Sequence, residues 1–178
     1  MYADKTLTPK ETVRFCALGT LAGGAVSYSQ LAIDVRHFID RVQGPSLDVL
    51  GTSIELLKYE GLVVSSADGG SDARLEITDK GHEELIGLLT APIRATDSDH
   101  NKLIEALKFR YMHLLSQAEQ QQQAELLAER TETELVRLLD LRDRYAQDTG
   151  HLVDWLDREI RELENRLLWL ENFQKTIS

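Results

Sequence analysis

A mainly helical chain of the α+β class, with one small β hairpin among its first helices, is predicted from three features of the sequence. Apolar residues recur three and four apart over most of the 178 positions. That period breaks once, between Leu62 and Thr78, where two short strand-like runs flank a loop rich in turn residues. Past a polar stretch at Ala95 to Asp99 the helical period returns. The length accommodates two modest cores.

Taking the elements in order, Thr8, Pro9 and Glu11 read as an N-cap, an N1 proline and a capping-box partner. The helix they open runs to about Leu21, with Val13, Cys16, Ala17 and Leu21 on one side, and stops at Gly23-Gly24. A second helix starts at Ser27 or Ser29, buries Leu31, Ala32 and Val35, and ends near Phe38 or Asp40. Arg41 to Pro45 is a turn, and Ser46 is the next cap. Leu47, Leu50, Ile54 and Leu57 then fall at helical spacing up to Gly61. Leu62 to Ser66 and Arg74 to Thr78 are strands joined through Ala67 to Ala73, a hairpin with a protruding tip. Thr78 caps a further helix through about Leu89, and Pro92 marks its exit. Three helices, a hairpin and a fourth helix are the order of a winged helix-turn-helix, whose third helix is the usual reader of a DNA groove.

Everything beyond is expected to be helical. Leu103, Leu107, Tyr111 and Leu114 make one apolar stripe, Gln117 to Gln123 is polar but helix-permissive, and Leu135, Leu138 and Leu139 resume the stripe until Asp148-Thr149-Gly150. Leu156, Ile160, Leu163, Leu167 and Leu170 then alternate four and three apart, the spacing of a coiled-coil seam. Two long helices cannot bury both stripes alone, so a second copy of the chain is the expected partner. The domains implied are 1–92, a winged helix-turn-helix; 93–98, a linker; and 99–178, a helical dimerisation domain.

Composition sets bounds on function. Hydrophobic residues at 42% with 28% charged exclude a disordered chain, and no apolar run approaches the roughly 20 residues of a membrane span. Met1 to Lys5 lacks the basic-then-apolar layout of a secretory signal, and the lone Cys16 cannot form an internal disulfide; both agree with a cytoplasmic location. The formal net charge of -10 opposes phosphate binding unless the basic groups collect on one face, and by itself favours a protein-binding module.

Several local motifs carry a resemblance. Ala17-Leu18-Gly19-Thr20-Leu21 with Ser27-Tyr28-Ser29-Gln30-Leu31, then Leu56 to Val63, then Arg74 to Gly81, resemble the helices and wing of PadR-family transcriptional regulators in order and spacing. Phe109 to Met112 and the closing Trp155-Leu156 through Trp169-Leu170-Glu171 are similar to the C-terminal helices of members with a long dimerisation domain. The resemblance implies a dimeric, DNA-binding transcription regulator without enzymatic activity. Where that family carries tyrosine and proline in its reader helix, this chain has Gly51 and Thr52.

On this reading Ser46, Asp48, Val49, Thr52 and Ser53 face outward on the reader helix, able to meet base edges or phosphates. Arg36, Arg41, Lys58, Arg74 and Lys80 bracket reader and wing and are the expected phosphate contacts, with Asp34, Asp40, Glu55 and Glu60 close by. Leu103, Leu107, Trp155, Leu156, Ile160, Leu163, Leu167 and Leu170 are the expected dimer contacts. Three readings follow: a repressor bound as a homodimer to a palindromic operator in double-stranded DNA, a dimeric winged-helix interaction module that has lost DNA binding, and a regulator responding to a small aromatic effector. For the last, Trp155, Trp169, Tyr111 and Tyr145 could line a pocket, though core and interface packing accounts for them better. Cys16 reads as a buried inert thiol or a redox sensor. No metal-ligand spacing joins His37, His82, His100, His113 and His151, and no phosphate loop or nucleophile elbow occurs, so no metal, cofactor or catalytic set is expected.

Overall fold

The computed structural model describes residues 6–44, 50–66, 73–93 and 98–177, with backbone alone at 50–53 and 98. The chain forms two compact units, Met1–Leu114 and Leu115–Ser178.

In the first unit, helix α1 (Pro9–Ala22) is the centre of the core, with Phe15, Cys16, Ala17 and Leu18 wholly shielded. Its start is fixed as the sequence indicates: Glu11 N–H donates to Thr8 Oγ1 at 3.3 Å and Thr8 N–H to the Glu11 carboxylate at 2.6 Å. Helix α2 (Tyr28–Val42) is capped by Ser27 and buries Leu31, Val35 and Ile39; helix α3 (Leu50–Tyr59) buries Ile54 and Leu57. A three-stranded antiparallel sheet of order β1-β3-β2 is built from β1 (Val26–Ser27), β2 (Val63–Ser65) and β3 (Arg74–Ile77), with Val26 opposite Leu75 and Val63 opposite Ile77. Thr78 caps α4 (Asp79–Thr90) by accepting from Gly81 N–H at 3.0 Å. This is a winged helix. The β1 strand is too short to leave a period in the sequence; two residues suffice because β3 supplies the rest of the ladder. Helix α2 runs to Val42, past the expected end at Phe38 or Asp40, since Ile39 still packs inward and the stop is Gly44 at φ 92°.

Helix α5 (Ser98–Tyr111) completes this unit, followed by a single 3₁₀ turn, Met112–Leu114. Leu103, Ile104, Leu107 and Tyr111 are buried here, with α5 packed on α1, α2 and α4. Helix α5 meets α1 tightly at Gly19, where a Cβ would collide with the Tyr111 ring. The Tyr111 hydroxyl lies 3.0 Å from Thr20 Oγ1 and 3.2 Å from the Cys16 carbonyl it donates to. The compact units therefore divide at 114/115, not at the polar linker 93–98. Leu103 and Leu107 serve the winged-helix core, which corrects their expected place in a dimer contact.

The second unit is an antiparallel pair, α6 (Gln117–Arg144) and α7 (Leu152–Thr176). The stripe thought to run on through Leu114 is broken: Ser116 and Glu119 form a capping box that starts a new helix. Ala124, Leu127 and Thr131 of α6 and Leu156, Ile160 and Leu170 of α7 are buried within the pair. The glutamine run has a use in closing it, for Gln117 and Gln121 donate to the Ile177 and Gln174 carbonyls at 2.7 and 2.9 Å, where α7 leaves acceptors unpaired. At the other end Arg142 Nε meets Asp157 at 2.6 Å, and this holds the Asp157 carboxyl below the usual carboxylate range.

Lys108 is 2% exposed, and its ammonium donates to the Leu89 carbonyl at 2.6 Å in the last turn of α4. Burial pushes its pKa down from 10.5 to about 8. The unfolded chain thus binds the extra proton between those values, so this group's contribution to stability rises with pH from about 8 to 10.5, by up to about 3 kcal/mol. Cys16, whose thiol burial pushes up to about 11, works in the opposite direction above pH 9. The wild type compared with Lys108→Met isolates the lysine: urea midpoints at pH 7.5, 8.5 and 9.5 should show the wild type gaining on the variant at each step. A constant difference would mean that Lys108 is not held in a dry site.

Candidate nucleic-acid interface

Ile54 and Leu57 fix the inner side of α3, each 1% exposed. At about 100° per residue, positions 52, 55 and 59 then share its outer side. Tyr59 is the most exposed large hydrophobic residue described, at 89%, with Leu56 beside it and Val64 half-exposed on β2. Tyr59 was missed in the sequence, although it stands seven residues after position 52 and the inner face defined by Leu50, Ile54 and Leu57 was enough to turn it outward. Of the expected reader residues, Ser46, Asp48 and Val49 lie outside the described residues, as do the side chains of Thr52 and Ser53.

The expected phosphate contacts separate into two groups. Arg36 and Arg41 on α2 and Arg74 on β3 are exposed. Arg74 sits opposite Ser27 in the sheet, its backbone N–H donates to Ser66 Oγ at 3.1 Å, and its side chain borders a crevice of about 380 Å³ with Gln30 at the start of α2. Lys58 and Lys80 are engaged within the fold. Lys58 Nζ lies 5.9 Å over the Tyr28 ring, and Lys80 Nζ donates to the Glu60 carbonyl at 2.8 Å, where it closes the end of α3.

A further cation, Arg14 of α1, bridges two elements. One arm of its guanidinium meets Glu60 at 2.8 Å and the other Glu84 of α4 at 2.9 Å. Burial works against its charge, but Glu84 and Glu60 outweigh that and hold its pKa above the ordinary value. Glu60 is thereby neutralised from within, which removes one of the carboxylates that stood near the basic set in sequence. Glu55 has no such partner among the described residues and stays on the outer side of α3.

In the second unit, Leu156, Ile160 and Leu170 are spent on packing α7 against α6, and Leu163 and Leu167 are half-buried. The apolar surface left over lies elsewhere on α7: Trp155 is 50% exposed and Trp169 52%, the latter stacked on Phe173 with ring centres 5.5 Å apart. Leu168, Leu126 and Val136 are exposed as well. Trp155 and Trp169 are about 21 Å apart along the helix at 1.5 Å per residue, Tyr145 is exposed, and Tyr111 is buried against Gly19, so these aromatics serve packing and surface and not one shared cavity wall. Cys16 is fully buried, with its thiol pKa raised by desolvation, which is the state of an inert cysteine. Among the described residues no three His, Cys, Asp or Glu side chains come together as a metal site, and no helix is long and apolar enough to cross a membrane.

Exposed arginines thus stand on α2 and on the wing strand β3 of a winged helix. The model of one family, described as "Putative AphA-like transcriptional regulator", matches residues 2–174. The chain belongs to the AphA-like family of transcriptional regulators. Solved structures similar to it include PadR of Bacillus subtilis, at 17% identity over 97% of this chain and 98% of that one, with a TM-score of 0.42. PadR of the same organism in complex with operator DNA matches at 18% identity over 93% and 99%, TM-score 0.39, and a PadR-like regulator of Bacillus cereus at 16% over 93% and 97%, TM-score 0.38. No curated protein matches. The expected transcription regulator is borne out, and PadR proteins, which the motifs resemble, are among the similar structures.

Proposed function

We propose that this AphA-like regulator binds double-stranded DNA as a homodimer, with α3 in the groove of each half of a palindromic operator and the wing on the flanking backbone, and that it acts as a repressor. The observation that carries this is the winged helix itself in a member of a regulator family, with Arg36 and Arg41 exposed on α2 and Arg74 on the wing strand β3. Phosphate contacts supply most of such affinity, and a positive set of this size gives modest, strongly salt-dependent binding. Thr52 and Tyr59, at positions the helical period puts on the outer side of α3, are the residues to read base edges and the adjoining backbone.

A second reading is a dimeric interaction module that no longer binds DNA. The outer side of α3 favours it, since Glu55 carries a carboxylate and Leu56 and Tyr59 are apolar, and so does the net charge of -10.

Self-association belongs to the exposed aromatic side of α7 in either case. Each large side chain left in water forgoes roughly 1.5–3 kcal/mol of burial. Replacing Trp155 and Trp169 by serine should therefore give a folded monomer by light scattering, because neither residue is needed inside the α6–α7 pair; an unchanged dimer would place the contact elsewhere. On a sequence selected from a random DNA pool, Arg74→Ala should flatten the plot of log affinity against log salt by about one unit. Lys80→Ala should leave the slope alone and lower the melting temperature, its ammonium being committed to the Glu60 carbonyl. Failure to enrich any sequence at low salt would hand the protein to the second reading.

A further inference from the structure

Away from the outer side of α3, the N-terminal unit holds a crevice of about 800 Å³ between the start of α1, the α3–β2 corner and α4. Its volume is within the range that encloses small molecules. The floor is apolar, for Leu7, Leu62 and Leu88 are exposed by only 6, 3 and 6%. Gly87 of α4 lines it without a side chain, and a Cβ there would meet nothing within 4 Å, so the space is open. Thr6 contributes a hydroxyl that is buried and has no hydrogen-bond partner among the described residues, a condition that costs about 1–3 kcal/mol unless something supplies one.

The rim selects charge. Among the described residues three carboxylates, Glu11, Glu83 and Glu84, stand around it with a single ammonium, Lys80. Glu11 is held by Thr8 N–H, Glu84 by Arg14, and Lys80 by the Glu60 carbonyl. Glu83 is exposed and has no ion pair among the described residues. The helix start has little to offer an anion, because Pro9 has no N–H and the capping box already uses those of Thr8 and Glu11, which leaves Lys10's as the one donor of the first turn outside it.

We propose that this crevice is a binding site for a small hydrophobic cation, with its apolar body on Leu7, Leu62 and Leu88 and its positive charge at Glu83. The proposal does not depend on DNA binding. It does place the occupant against the root of the wing, since Leu62 leads directly into β2 and its carbonyl accepts from Thr78 N–H at 3.0 Å.

Tetraphenylphosphonium and tetraphenylborate share one shape and carry opposite charges, so calorimetric titration of the full chain with each separates charge from greasiness. The cation should bind at one site per chain, at least about tenfold more tightly than the anion. Gly87→Phe, which fills the space with a residue that favours helix over glycine, should abolish that binding while the melting temperature holds or rises. Glu83→Gln, a change at an exposed position, should weaken the cation by about tenfold without touching the fold. Equal binding of the two ions, no binding of the cation, or full affinity in both variants would overturn the proposal.

Discussion

The first turn of α4 is pressed against the corner where α3 ends and the wing begins, and the rest of the N-terminal unit is arranged around that contact. Gly81 has its backbone so close to the Leu62 carbonyl that any side chain would collide with it. Thr78 ties the two sides together, giving its N–H to Leu62 and its hydroxyl to the Gly61 carbonyl at 2.8 Å. Gly61 turns the chain there at φ 73°, where residues with a Cβ are strained. Lys80 and Arg14 then fasten Glu60 from two directions. The orientation of α3 relative to the wing strands is thus set by short backbone contacts and by charges spent internally.

That use of charge sorts the cations of an acidic chain into those spent inside the N-terminal unit and those left at its surface. Of the cations named above, Lys58, Lys80 and Arg14 satisfy a ring, a carbonyl and two carboxylates within the fold, whereas Arg41 and Arg74 are exposed. Ion pairs that are partly shielded are worth more than fully solvated ones, so the internal set holds the scaffold while the outward set acts through solvent over roughly a Debye length. The same division leaves Glu83 and Glu55 as carboxylates without an ion pair among the described residues, on two different sides of the unit.

Local chemistry made much of the architecture readable from the chain. Thr8 with Glu11, Ser27, Gly61 and Thr78 each mark an end that the structure reproduces, because caps and left-handed turns are settled by residues within a few positions. Ser116 with Glu119 was equally local and was overlooked, since the glutamine run after it continues the helical period without a visible break. What periodicity could not reveal is which partner a stripe packs on. Leu103 and Leu107 repeat like a dimer seam but bury themselves with Tyr111 against α1, a contact made possible by the missing side chain at Gly19, some ninety positions earlier. Likewise Leu156, Ile160 and Leu170 of the expected seam pack against α6 while Leu163 and Leu167 stay half-buried, and Trp155 and Trp169, on a neighbouring side of α7, are its exposed aromatic surface. Arg14 gave no signal at all, because its two carboxylate partners come from other elements.

The claim that the outer side of α3 faces DNA is tested most directly from Tyr59, which is nearly fully exposed and whose replacement disturbs no packing. A photo-crosslinking benzoylphenylalanine placed there, irradiated with the full chain on an equimolar duplex from the selected pool at low salt, should yield a protein–DNA adduct that high salt suppresses. An adduct formed only with protein, at either salt concentration, would contradict the account and identify the same surface as a site for a protein partner.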